Sequence, residues 1–92
     1  MLLKDLIKRI EVLKIVGNLD IEIKKMVYDS RQVEEGSLFI CIEGFKDDGH
    51  DYINKAIQNG AVAIVVEKEL ETYPDGITVV EVADSRETMA YL

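Results

Sequence analysis

The sequence predicts an α/β domain built on a small mixed, mostly parallel sheet of about four to five strands with flanking helices. Two apolar runs, LFICI and AVAIVV, have the length and composition of buried strands. Between them lies a segment whose apolar residues recur at helical spacing. A strand, a helix and a second strand in this order typically connect two parallel strands of one sheet, usually with a right-handed crossover.

The first half of the chain predicts one helix and then two or three strands. Apolar side chains recur every three or four positions, which predicts an amphipathic helix over about residues 2–13. Gly17-Asn18 is typical of a turn. The segment IEIKKMVYD, residues 21–29, predicts one or two short strands, and GSLFICI, residues 36–42, predicts a fully buried strand.

The second half predicts a helix between strands. The helix is expected over about residues 52–59, with Asp51 as its N-cap and Gly60 as the residue that ends it. AVAIVVE at 61–67 and ITVVEV at 77–82 predict two further strands, separated by a polar connection that holds the only proline.

A last helix is predicted to begin at Asp84, because Asp84-Ser85-Arg86-Glu87 has the spacing of a capping box. Its apolar stripe begins at Met89, and the sequence continues only to Leu92. We therefore expect the chain to be the N-terminal domain of a longer protein.

Composition and charge exclude several classes of protein. Ninety-two residues, of which 48% are hydrophobic, indicate one globular domain. The net charge of −7 falls entirely in residues 47–92, since residues 1–46 are balanced, and this argues against a duplex nucleic acid partner. No apolar run reaches 18 residues, so we expect no membrane span. The single cysteine, Cys41, lies in an apolar run, which predicts a core thiol in a reducing cytoplasm.

Catalytic and metal motifs are scarce in this sequence. It has neither a GxxxxGK[ST] phosphate loop nor a GxGxxG fingerprint. His50 is the only histidine, which excludes a zinc cluster, and it is the only candidate base for Ser30, so hydrolysis is disfavoured. The acids of GFKDDGHD do not have the spacing of a calcium-binding EF-hand loop.

Asp29-Ser30-Arg31 has two interpretations. It could be a solvated turn in which Asp29 and Ser30 satisfy backbone amides and Arg31 pairs with Glu34 or Glu35. It could instead form a small-ligand site at the end of a strand, where open α/β sheets bind ligands. The loop GFKDDGHD, which follows the neighbouring strand, would then form the second wall of that site.

Three motifs together resemble the N-terminal domain of the Mur ligase family. They are YDSRxVxxGxLF at 28–39, GFxxDGHxxI at 44–53 and AIxxGAVA at 56–63, and the ending VADSRE is also similar. These ligases are cytoplasmic, ATP-dependent enzymes that add amino acids to the peptidoglycan precursor. The best resemblance is to the branch that adds a diamino acid, meso-diaminopimelate or L-lysine. The alternatives are the D-Ala-D-Ala-adding branch and a non-catalytic interaction module.

The resemblance implies a ligand, the uridine end of UDP-N-acetylmuramoyl-L-alanyl-D-glutamate. Ser30 would hydrogen-bond the uracil or ribose, and Tyr28 would line the pocket. Phe45, Lys46 and Asp47 would form the facing wall. The resemblance implies no catalytic residue and no bound metal or cofactor in this domain. ATP and magnesium would be bound, and the diphosphate neutralised, by the central and C-terminal domains of the full enzyme.

One departure from the family pattern concerns the turn before the buried strand. Members often have Pro-Gly-Asp where this chain has Glu35-Gly36-Ser37. Gly36 is retained, so a positive φ remains accessible at that position.

Overall fold

Five strands form one sheet in the computed structural model, which describes residues 1–44 and 47–92. The strands are β1 (Lys14–Val16), β2 (Lys25–Val27), β3 (Ser37–Ile40), β4 (Ala61–Val66) and β5 (Thr78–Glu81). Their order across the sheet is β1-β5-β4-β3-β2. The four strands from β2 to β5 are parallel, and β1 pairs antiparallel with β5. The predicted mixed, mostly parallel sheet is therefore confirmed.

In the described residues, three α-helices and three 3₁₀ turns connect or flank the strands. The helices are α1 (Leu3–Leu6), α2 (Ile53–Gln58) and α3 (Ser85–Tyr91), and the 3₁₀ turns are Ile7–Arg9, Ser30–Gln32 and Gly49–Tyr52. Within the described ranges 1–44 and 47–92, no helix has the length and apolar character needed to cross a membrane.

The sheet is buried on both faces. Alternate strand residues point to opposite sides, so the strands contribute to two apolar clusters. Leu38 and Ile40 pack with Leu3 and Leu6 of α1 in one apolar cluster. Phe39 packs in the other, which also holds residues of α2 and of the segment after β2: Val33, Ile53 and Ala56. Cys41 is fully buried in this second cluster, and burial raises the pKa of its thiol, which confirms the predicted core position.

The first helix is shorter than the sequence predicts. Helical structure ends at Arg9 rather than near residue 13, because Ile10 is already extended. The backbone N–H of Leu13 donates to the carbonyl of Glu81 (2.8 Å), and the chain continues as β1 along the edge of the sheet. The prediction was wrong here because pairing with a strand distant in sequence overrides a local helical pattern. Of segment 21–29, only β2 is a strand.

The cap of the central helix differs from the prediction: α2 begins at Ile53, and a 3₁₀ turn over Gly49–Tyr52 leads into it. The Asp48 side chain, and not that of Asp51, caps the 3₁₀ turn that leads into α2, accepting a hydrogen bond from the His50 backbone N–H. The predicted end is confirmed: Gly60 has a φ of +114°, and a Cβ there would lie 2.6 Å from the backbone of Glu35. Asp84 caps α3 as predicted.

Candidate functional site

A cleft of about 530 Å³ opens where β2 and β3 end. Its walls come from the segment after β2, the loop after β3, and the start of α2. The lining residues are Tyr28, Asp29, Ser30, Arg31, Phe39, Ile42, Asp47, Gly49, Tyr52 and Lys55. The carboxyl ends of parallel strands are where open α/β sheets bind ligands, so this cleft is the candidate site.

The first wall is a 3₁₀ turn that Asp29 caps. Its carboxylate accepts a hydrogen bond from the Arg31 backbone N–H (2.9 Å). It also accepts hydrogen bonds from the Arg31 side chain, from Nε to both carboxylate oxygens (3.0 and 3.3 Å) and from Nη2 to Oδ2 (2.8 Å). These hydrogen bonds, helped by the positive charges of Arg31 and Lys55, lower the pKa of Asp29 from 3.8 to about 2. Asp29 is therefore a charged, fully engaged carboxylate.

The predicted partners of Arg31 were wrong. Arg31 pairs with Asp29, whereas the Glu34 carboxylate pairs with Lys25, with 3.6 Å between Oε1 and Nζ. The reason is local: the capping geometry already places the Asp29 carboxylate beside residue 31, so the shortest ion pair forms within the turn.

Ser30 is the first residue of this turn and is buried, with 7% of its surface exposed. Its carbonyl accepts hydrogen bonds from the Val33 backbone N–H (3.4 Å) and from the Asn59 side chain (3.4 Å). The second bond ties the turn to the end of α2. Ser30 is thus held in place by its backbone and by a helix that also contributes to the cleft.

The second wall is the loop after β3, which folds back over the end of that strand. The Gly49 backbone N–H donates to the carbonyl of Ile42 (2.9 Å). The Gly44 backbone N–H donates to the backbone carbonyl of Asp47 (2.7 Å). A Cβ on Gly49 would lie 2.7 Å from the backbone nitrogen of Ile42, so only glycine permits this approach. Asp47 lines the cleft, whereas Phe45 and Lys46, which the sequence also predicts as site residues, lie outside the described residues.

His50 anchors this loop and does not act as a base. Its Nε2 accepts a hydrogen bond from the Glu67 backbone N–H (3.0 Å), so the ring proton is on Nδ1, which donates to Asp48 (2.6 Å). Burial opposes the charge on Asp48, but hydrogen bonds from Lys68 and His50 hold the pKa of its carboxyl well below the ordinary value. Because both ring nitrogens are engaged, His50 cannot take a proton from Ser30.

Within 1–44 and 47–92, no three His, Cys, Asp or Glu side chains are grouped to hold a metal. Asp48, the most buried acid of the loop, is already paired with Lys68 at 2.6 Å. The sequence contains no GxxxxGK[ST] loop for a triphosphate.

The structure brings three of the five sequence-predicted site residues, Tyr28, Ser30 and Asp47, into one cleft. Sequence reasoning missed several lining residues, among them Tyr52 and Lys55. They are three positions apart where the 3₁₀ turn runs into α2, a spacing that places both on one side of a helix. That spacing, directly after a strand-end loop, was the available signal.

Among the described residues that line the cleft, the charges are balanced. Asp29 and Asp47 provide two carboxylates, and Arg31 and Lys55 provide two cations. The cleft therefore differs from the chain as a whole, which carries a net charge of −7.

Sequence comparison gives a consistent family. A family model described as "Mur ligase family, catalytic domain" matches residues 22–92. The chain is 53% identical over 90 residues to the UDP-N-acetylmuramoyl-L-alanyl-D-glutamate–2,6-diaminopimelate ligase of Alkaliphilus oremlandii, covering 98% of this chain and 18% of that protein. It is 44% identical over 90 residues to the ligase of the same name from Clostridioides difficile, again covering 98% and 18%.

Solved structures with the same fold carry the name of another branch. MurF from Acinetobacter baumannii matches with a TM-score of 0.67 and 30% identity over 76% of this chain and 15% of that one. MurF from Thermotoga maritima, solved in complex with ADP, matches with a TM-score of 0.62 and 36% identity, over 72% and 15%. The chain thus spans less than a fifth of the length of these relatives.

Proposed function

Because the chain belongs to the Mur ligase family, we propose that it is the domain that anchors the uridine end of UDP-N-acetylmuramoyl-L-alanyl-D-glutamate. The ligase would add a diamino acid to the D-glutamate of this substrate in peptidoglycan synthesis, in the cytoplasm and with ATP. The observation that carries the proposal is the cleft between the two strand-end loops, which contains Tyr28, Ser30 and Asp47.

The chemistry of these three residues suits a nucleoside. Tyr28 is 62% exposed and lines the cleft, so its ring offers a flat apolar face on which a uracil can stack. The Ser30 hydroxyl can donate to a uracil carbonyl or accept from a ribose hydroxyl. Asp47, when ionised, accepts hydrogen bonds from ribose hydroxyls or from the uracil N–H.

This chain would bind and orient substrate without catalysing the ligation. ATP supplies phosphorylation of the D-glutamate carboxylate in the complete enzyme. The residues present here contribute no phosphate loop and, in the described part of the chain, no metal cluster. We therefore expect the 92-residue chain alone to be inactive, with ATP, magnesium and the diamino acid bound by the central and C-terminal domains.

The D-Ala-D-Ala-adding branch is the second candidate, since the structural neighbours reported above carry its name. The sequence relatives favour the diamino-acid branch, because their identities of 44–53% over nearly the whole chain exceed the 30–36% of the structural neighbours. An activity assay of the complete ligase with diaminopimelate, L-lysine and D-Ala-D-Ala as amine donors distinguishes the two branches.

The binding proposal is tested by NMR with the isotope-labelled 92-residue chain. Addition of uridine, and then of UDP-N-acetylmuramoyl-L-alanyl-D-glutamate, should shift backbone amides at residues 28–31 and 47–55. Ser30→Ala should weaken uridine binding by about threefold to tenfold, the cost of one hydrogen bond. Ser85→Ala is the matched control and should leave binding unchanged. Absence of amide shifts at millimolar ligand would refute the uridine site.

A further inference from the structure

We propose that Lys68, which lies outside the cleft, is a positioning residue for it. Acting through Asp48, Lys68 holds the loop after β3 in the conformation that binds the nucleoside. The inference rests on the proposed function and adds to it, because Lys68 lies beyond the end of β4 and is not among the residues that line the cleft. The observation that carries it is a set of hydrogen bonds that joins this loop to the segment after β4.

Asp48 is the centre of these hydrogen bonds. Its Oδ2 accepts from the Lys68 ammonium group (2.6 Å), and its Oδ1 accepts from Nδ1 (2.6 Å) and from the backbone N–H (2.9 Å) of His50. The sequence neighbours of Asp48, which are Asp47 and Gly49, both line the cleft. A movement of the Asp48 carboxylate therefore moves the backbone of the cleft wall.

The segment after β4 is a firm support for the loop. The Glu67 backbone N–H donates to His50 Nε2 (3.0 Å), while the Glu67 carboxylate accepts from the Ser85 backbone N–H at the start of α3 (2.6 Å). One residue earlier, the carbonyl of Val66 accepts from the Val82 backbone N–H (2.8 Å). Hydrogen bonds from α3 and from the residue after β5 thus fix the position of this segment.

Lys68 contributes to the loop and not to the core. In the described part of the chain, the side-chain hydrogen bonds that join residues 47–50 to another part of the sheet involve Glu67 and Lys68. Burial disfavours the charged form of Asp48, and the hydrogen bond from Lys68 counteracts this effect on its pKa. The Lys68 side chain itself is 54% exposed. Its loss should therefore loosen the loop and leave the apolar clusters intact.

The test measures the uridine affinity of the 92-residue chain by calorimetry or NMR titration. Uridine is neutral, so Lys68 cannot act on it by long-range attraction. Lys68→Gln should weaken uridine binding by about twofold to fivefold, the range expected of an exposed ion pair, and should shift the midpoint of urea unfolding only slightly. Lys68→Arg keeps the charge and should retain most of the affinity.

The matched control is Lys4→Gln. Lys4 forms an ion pair of similar exposure with Asp20 (3.0 Å) and does not line the cleft, so its replacement should leave the uridine affinity unchanged. A loss equal to that of Lys68→Gln would assign the effect to net charge and would overturn the inference.

A double-mutant cycle shows whether Lys68 acts through Asp48. Asp48→Asn keeps an acceptor for the His50 backbone N–H but removes the charge that pairs with Lys68. In this background, Lys68→Gln should have no further effect on uridine affinity. An unchanged affinity in Lys68→Gln, or an equal loss in both backgrounds, would overturn the inference and leave the uridine site intact. If uridine does not bind to the wild type, the proposed function is overturned, and the inference with it.

Discussion

The tripeptide Asp-Ser-Arg occurs at residues 29–31 and again at 84–86, and the two copies share their local geometry. In each, the aspartate accepts a hydrogen bond from the backbone N–H two residues later, at 2.9 Å in the first copy and 3.0 Å in the second. In each, the serine is buried as the first residue of a helical turn. Both copies follow strands of the parallel part of the sheet, β2 and β5.

The copies differ in what surrounds them. The first helical turn stops after three residues, because Val33 is extended and the chain must return to β3. The second continues as the seven-residue α3, and Asp84 also accepts a hydrogen bond from the Glu87 backbone N–H (3.2 Å). Ser30 lines a cleft, whereas Ser85 is completely buried. The tripeptide therefore specifies a cap, and its surroundings decide whether that cap is also a site.

The largest contrast is expected when each serine is enlarged. Ser85→Val replaces the hydroxyl by a methyl group and adds a second methyl group at a fully buried position, and it should lower the free energy of unfolding by about 1–3 kcal/mol. Ser30→Val should be less destabilising, because the added methyl group can extend into the cleft, yet it should abolish uridine binding. Urea unfolding and ligand titration of both variants measure the two effects. Equal destabilisation would show that Ser30 is a core residue like Ser85.

Removal of the caps should have the next largest effect. Asp84→Ala removes the acceptor for two backbone N–H groups and should cost about 1 kcal/mol of stability. Asp29→Ala should cost a similar amount, and it also releases the Arg31 side chain. Only Asp29→Ala should therefore change the affinity for uridine, because Asp29 lines the cleft and Asp84 does not. A changed affinity in Asp84→Ala would mean that the second copy also affects the cleft.

The Asp29–Arg31 pair predicts a dependence of stability on pH. The pKa of Asp29 is lowered in the folded state, from 3.8 to about 2. Its stabilising contribution is therefore fully present above the ordinary pKa and is lost as the pH falls from about 4 toward 2. Asp29→Asn keeps an acceptor for the Arg31 backbone N–H but cannot ionise.

Urea unfolding of the wild type and of Asp29→Asn over this pH range measures the contribution. The stability difference should be constant near neutral pH and shrink below about pH 4. Asp48, whose pKa is also low, is common to both proteins and cancels in the difference. A difference that stays constant down to about pH 2 would contradict a lowered pKa for Asp29.

Local patterns predicted much of this structure, and their failures have a common cause. The buried strands, the glycine that ends α2, and the Asp84 cap depend on nearby residues, and all were found. The strand β1 was missed because it exists through pairing with β5, far away in sequence. The cap of the central 3₁₀ turn was misassigned because several aspartates lie close together, and the anchoring of His50 by Glu67 decides among them.

The candidate site shows the same division. Tyr28, Ser30 and Asp47 were predicted through the resemblance to the Mur ligase family, and the position of their two loops at the ends of predicted strands supported the same site. Tyr52 and Lys55 had only their three-residue spacing as a signal, since their approach to the cleft depends on how α2 packs across the sheet. The partner of Arg31 lies only two residues away in the sequence. A capping aspartate accepts from the backbone N–H of the residue two positions later, and it is therefore also within reach of that residue's side chain.

The smallest expected effect isolates the serine hydroxyls. Within the described part of the chain, the Ser85 Oγ is buried and has no hydrogen-bond partner, while the Ser85 backbone N–H donates to Glu67 (2.6 Å). Ser85→Ala removes an unsatisfied polar atom and keeps that backbone bond, so stability should stay constant within about 0.5 kcal/mol or rise slightly. Urea unfolding measures the stability of Ser85→Ala and, for comparison, of Ser30→Ala. A loss above about 1 kcal/mol would mean that the Ser85 hydroxyl has a partner in solution. Both Ser30 and Ser85 would then need their hydroxyl groups. The difference between the two copies would depend on the arginines, of which Arg31 lines the cleft and Arg86 does not.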